Sequence, residues 1–320
     1  MNKYVDLLFY QRKHGIAIEY LLKTNQTVDE SPKSSDDFYA LKSMIYNRLY
    51  INYRELKSPE CRRKAWDCLN ESKKWAEQLE ESALKDEFTY LNLSDEGYDF
   101  YCFQTTKEKL LSIWEQCKKY PPERLPKKAM NYYRKSIQLA LLCQKPDKAF
   151  SYLSDAENFM ITHSSSKNET LVFHLSFSLY KIMALIMEDP YKNNGLLMKE
   201  INYGYELSRF MAKKNWGDLL NLHGIVCYYQ KDKDGVYYHY KEAYHAYNSN
   251  KTSLFYDERK MLLLENIVVA FSNLGMFEQA KEFLSAQDWE QIMSLKNTCF
   301  LHEASGIQRT SDMLLNLPCV

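Results

Sequence analysis

"ENIVVAFSNLGMFEQAKEFL", residues 265–284, decides how the rest of the chain is read. It divides into an apolar-periodic segment, a corner at Gly275 and a second periodic segment. Phe271, Gly275, Ala280 and Leu284 follow one another at intervals of four, five and four. Those offsets suit a helix hairpin. A ring on the first helix faces the second, and glycine takes the left-handed backbone that ends a helix. A small residue then lets the second helix come close, and an aliphatic fills the groove beside the ring. One hairpin leaves an apolar face uncovered, so a neighbour must stack on it.

The pattern recurs. In a frame starting at 261, Leu264 is position 4, Ile267 is 7, Val268 is 8, Phe271 is 11, Ala280 is 20 and Leu284 is 24. A frame from 130 places Tyr133 at 4, Ile137 at 8, Ala140 at 11, Ala149 at 20, Leu153 at 24 and Ala156 at 27. From 217, Leu220, Gly224, Cys227, Tyr240 and Ala243 take positions 4, 8, 11, 24 and 27; a weaker frame from 91 has Tyr98, Tyr101, Trp114 and Pro122. This resembles the tetratricopeptide repeat, with large residues at 4, 7, 11 and 24 and small ones at 8, 20 and 27; Val268 departs from it. The resemblance implies an all-α, TPR-like right-handed superhelical solenoid of antiparallel helix hairpins. Residues 89–320 form its repeat domain with C-terminal capping helices, and residues 1–88 an N-terminal helical region with a linker near 25–36.

Local signals fill in the remainder. A short helix breaks at His14-Gly15, and Phe38, Leu41, Ile45, Leu49 and Tyr53 share one helical face. Ser58-Pro59-Glu60 combines a capping hydroxyl with a first-turn proline. Residues 167–213 read as an irregular hairpin around Pro190, and a further helix is expected near 288–303.

Composition narrows the function classes. The 320 residues include only 9 Gly and 8 Pro, which favours long helices over a turn-rich β design. Lys plus Arg and Asp plus Glu both total 42, so no basic excess marks a nucleic-acid surface. The 26 Tyr and 15 Phe suit helix packing, where a ring is buried and a hydroxyl reaches water. No secretory h-region or uninterrupted membrane-length apolar run is visible, and the eight cysteines contain no CxxC pair. A cytoplasmic protein with reduced thiols and no membrane segment is expected.

Chemistry-bearing motifs are scarce. Neither GxxxxGK[ST] nor GxGxxG nor HExxH occurs. His239 and His245 lie six apart, on different helix faces, so no paired metal site is expected there. Cys299 and His302 share a face but lack an identifiable oxyanion donor or orienting group. The expectation is a protein that is not an enzyme, with no catalytic residue, metal or cofactor.

By the same resemblance, positions 2, 5, 9, 12 and 13 face the concave groove. They nominate Asn131, Arg134 and Gln138 in one unit, Asn221, Tyr228 and Tyr229 in the next, and Glu265 and Asn273 in the last, with Asn92 and Asp95 in the weaker unit. Amide side chains carry a donor and an acceptor, so they can pair with the backbone of an extended peptide whatever its sequence. The expected function is a non-catalytic scaffold holding a protein or short peptide in that groove. In its sharper form it is a peptide-responsive, quorum-sensing type of regulator resembling the Rap-like peptide-pheromone receptors, with residues 37–88 as effector bundle. The alternative is a nucleic-acid-associated transcriptional regulator that forms a homodimer through the helical array.

Overall fold

The computed structural model describes residues 2–30, 35–56, 58–102, 107–121, 129–163, 167–211, 216–249 and 256–283. Among them are fourteen helices and no strand. They are α1 (Asn2–Tyr10), α2 (His14–Asp29), α3 (Asp36–Glu55), α4 (Pro59–Glu77), α5 (Ser82–Cys102), α6 (Lys107–Cys117) and α7 (Ala129–Leu142). There follow α8 (Pro146–His163), α9 (Lys167–Glu188), α10 (Asn194–Phe210), α11 (Trp216–Tyr229), α12 (Lys233–Ser249), α13 (Tyr256–Leu274) and α14 (Phe277–Lys281). Two compact units result: Met1–Phe100 with Leu111–Ala129, and Tyr101–Leu110 with Met130–Val320. Residue 88 lies inside α5. Leu284 and the segment near 288–303 lie outside the described residues.

In the first unit, α1, α2 and α3 close on a core of Val5, Leu8, Ala17, Ile18, Leu21, Ile45 and Leu49. The Ser58 hydroxyl accepts from the Cys61 amide at 3.1 Å and Pro59 opens α4, as the sequence predicts. The expected linker near 25–36 is corrected in part, because α2 continues to Asp29. Its last turns are held by a buried cation: Lys42, 1% exposed, donates to Asn25 Oδ1 and Asp29 Oδ1, each at 2.7 Å. The same ammonium lies over the Tyr46 and Trp75 rings, at 5.4 and 5.3 Å. Asn25 and Asp29 are four apart and therefore on one helical face, which makes the grip bidentate.

Three hairpins of the second unit close in one way, while the α9–α10 corner has no left-handed residue. Gln144, Lys231 and Gly275 have φ of 54°, 59° and 70°, and each is the fifteenth residue of the frames from 130, 217 and 261. The following amides, of Lys145, Asp232 and Met276, donate back to the carbonyls of Ala140, Cys227 and Phe271 at 2.9, 3.0 and 2.7 Å. This is the Schellman closure, in which a left-handed residue lets the chain satisfy carbonyls that the helix end would orphan. Only one corner uses glycine. A fourth closure of the same type joins α1 to α2 at Arg12, φ 56°.

Close approach follows from the corner. At position 8 of the frame from 217, a Cβ on Gly224 would lie 2.3 Å from Tyr240 Cε1, and Tyr240 at position 24 is fully buried. Ala149 and Ala243, at positions 20 and 27 of their frames, are fully buried too. Ala280 is only half-buried. Phe271 packs against Phe283 and Tyr240, with ring centroids 5.9 and 6.1 Å apart. Leu171–Glu188 of α9 is the one described stretch long and apolar enough to cross a membrane, and 56% of it is buried within the protein.

Gly224→Ala should test the closure. Helix propensity favours the alanine by about 1 kcal/mol, but overpacking against an immobile ring costs about 1 to 3 kcal/mol, so a net loss is expected. Gly195→Ala, with nothing within 4 Å of the added Cβ, should be neutral or stabilising. Equal shifts in the urea midpoint for the two variants would sink the close-approach assignment.

Candidate functional site

In the second unit the odd-numbered helices α9, α11 and α13 touch one another in succession. Polar bonds tie neighbouring members together. Gln138 Nε2 of α7 donates to the Tyr180 hydroxyl of α9 at 2.6 Å. Asn273 Nδ2 of α13 donates to the Tyr228 hydroxyl of α11 at 2.7 Å, and Asn266 Nδ2 donates to Asn221 Oδ1 at 3.0 Å. Tyr229 packs edge-on to Tyr191 with centroids 5.7 Å apart.

These bonds sort the nominated residues. Tyr228, Tyr229, Gln138 and Arg134 are half-buried and Asn273 is exposed, so they stand at a surface. The Nε of Arg134 is buried without a hydrogen-bond partner among the described residues. Asn221 and Glu265 are 2% and 4% exposed. Asn221 is therefore an internal cross-brace between α11 and α13, not a solvated groove residue. Asn131 lies in α7, and its side chain is outside the described residues. Asn92 and Asp95 belong to a buried network of the first unit, where Asn47 Nδ2 donates to Asp95 Oδ2 at 2.8 Å and the Ser72 hydroxyl to Asn92 Oδ1 at 2.8 Å.

A second cluster escaped the sequence reading. His223 and Cys227 of α11 and His239 of α12 bring two ring nitrogens and a sulfur within 4.8 Å of one another. The two rings stack with centroids 3.6 Å apart and planes 28° apart. The Tyr205 hydroxyl of α10 lies 3.1 Å from His223 Nδ1, while His239 Nδ1 is buried without a hydrogen-bond partner among the described residues. Burial, reinforced by His239, pushes the His223 imidazole down to about 4, against the pull of Asp232. Burial lowers His239 as well, and pushes the Cys227 thiol up to about 12. The available signal was the four-residue spacing of His223 and Cys227, which share a helical face. The partner histidine could be paired with them only once the hairpin register was known.

An open cleft of about 290 Å³ lies between α8, α9 and α10, lined by Glu157, His174, Ser178, Lys181, Lys199 and Glu200 among others. Lys181 and Glu200 pair across it at 3.1 Å. Comparison with protein-family models, with curated proteins and with solved structures gives no match to this chain.

Because Asn221 braces two helices, Asn221→Ala should lower stability by about 1 to 2 kcal/mol through the lost buried hydrogen bond. Chemical denaturation measures this directly. An unchanged midpoint would return Asn221 to the solvated face.

Proposed function

We propose that the chain is a non-catalytic scaffold of the TPR-like kind, whose first helices offer a polar, aromatic-edged face to an extended peptide or protein segment. The observation that carries this reading is the common Schellman closure at the fifteenth position of three frames. Equal corners give each first helix the same orientation to its second, so positions 5, 9, 12 and 13 recur on equivalent faces.

On that face the groups that meet a ligand are Arg134, Gln138, Tyr228, Tyr229 and Asn273, with Asn131 alongside in sequence. The Tyr228–Asn273 bond is exposed, so water or a peptide carbonyl can replace it at little net cost. Arg134 supplies a fixed positive charge suited to a carboxylate of the ligand. Glu265 and Asn221 support this face from behind. A peptide-responsive regulator of the quorum-sensing kind is the sharper form of the proposal; it requires that peptide capture change what residues 37–88 bind.

A displayed peptide library selected on the full chain tests the proposal, with calorimetry on the enriched peptides. Tyr228→Phe, Asn273→Ala and Gln138→Ala should each weaken binding severalfold, at about 0.5 to 1.5 kcal/mol per lost hydrogen bond, with the melting temperature nearly unchanged in the first two and lowered in Gln138→Ala, which also loses its bond to Tyr180. Wild-type affinity in all three variants would move binding off this face.

A further inference from the structure

We propose that His223, Cys227 and His239 form a binding site for one borderline-soft divalent transition-metal ion, zinc in the first instance, which pins α11 to α12. The donor set is right for such an ion: two imidazoles and one thiolate suit zinc, whereas magnesium and calcium seek oxygen. The three donors converge within 4.8 Å from two helices of one hairpin. This proposal does not depend on the peptide-binding reading.

Three further observations point to a built site. His239 Nδ1 is buried with no hydrogen-bond partner among the described residues, an unrewarded cost if the ring serves only as packing. Tyr205 stands 3.1 Å from His223 Nδ1, where its hydroxyl can accept that N–H and so leave the lone pair on Nε2. Such outer partners are what orient a ligating imidazole. Gly235 then keeps the lip open. A Cβ there would fall 2.8 Å from Cys227 Sγ and 2.3 Å from Asp232 Oδ2, so a side chain at this position would crowd both atoms.

The frame sharpens the case. His223, Cys227 and His239 occupy positions 7, 11 and 23, and the equivalent positions from 261 hold Ile267 and Phe271 in the first helix. An aliphatic or aromatic core would satisfy the hairpin, yet here polar groups take its centre. The rings rest face to face, 28° from parallel. A shared ion must lie near the plane of both rings, so at least one imidazole turns about its χ2 as the metal enters. The sulfur loses its proton to solvent on binding, and a water completes a four-coordinate shell.

Cobalt(II) titration of the full chain, stripped by a chelator and kept reduced, tests the site. The expected result is one ion per chain, with a thiolate-to-cobalt charge-transfer absorption, the intense visible bands of four-coordinate cobalt, and displacement by zinc. Zinc should also raise the melting temperature. Cys227→Ser should abolish the charge-transfer absorption, His239→Gln and His223→Gln should each weaken zinc by at least about tenfold, and Cys61→Ser with Cys68→Ser should change neither. Gly235→Ala should weaken the ion without removing a ligand. A helical, cooperatively melting wild-type chain that binds neither metal overturns the proposal, as does a charge-transfer band that survives Cys227→Ser. If Cys227→Ser fails to fold, undiminished zinc affinity in His239→Gln overturns it.

Discussion

A helix end leaves carbonyls without partners, and the way three hairpins of the second unit satisfy them fixes how their helices pack. The amide of position 16 returns to the carbonyl of position 11, and the residue between the helices takes a left-handed backbone. That one bond aims the second helix back along the first. It sets position 24 against position 8, as Tyr240 against Gly224. It also brings His239 to the face that carries His223 and Cys227, and Phe283 to Phe271.

The two units solve burial differently. The hairpins of the second unit meet mainly through aliphatic and aromatic side chains, with polar bonds such as Asn221–Asn266 added between first helices. The first unit places Lys42, Ser43, Asn47, Ser72, Asn92 and Asp95 inside, all less than 9% exposed. Most of their polar atoms are paired: the Ser43 hydroxyl donates to the Ser72 carbonyl at 2.9 Å, the Ser72 hydroxyl to Asn92, and Tyr50 reaches the Asp95 carbonyl at 3.0 Å, while Asn92 Nδ2 has no hydrogen-bond partner among the described residues. Buried polar groups contribute little net free energy even when satisfied, but a slipped register would leave them stranded. The first unit is therefore specified by pairing where the second is specified by shape.

Much of the helical plan was legible. The hairpins from 130, 217 and 261, the helix opening at Ser58-Pro59-Glu60 and the break near His14 all follow from periodicity and capping, which act over a few residues. What stayed hidden required contact between distant segments. Serine, aspartate and proline density suggested a linker near 25–36, yet Lys42 draws Asn25 and Asp29 into helix. Asn221 reads as a solvated groove residue because position 5 faces the groove in the repeat the chain resembles, and only the placement of Asn266 shows it to be internal. In sequence His239 lies near His245, but its neighbour in space is His223. Gly275 announced its corner, but Gln144 and Lys231 did not.

That silence has a consequence for how such a chain can change. An L-residue in the left-handed region costs about 1 kcal/mol or so relative to glycine, and at Gln144 and Lys231 the tertiary packing bears that cost. The position of each bend is stored in backbone hydrogen bonds and in the depth of the adjoining packing, with residue identity free to drift. Substitution can erase the glycine signature while leaving the hairpin period intact. Kinship among chains of this design would then be written in dihedral angles after it had faded from the letters.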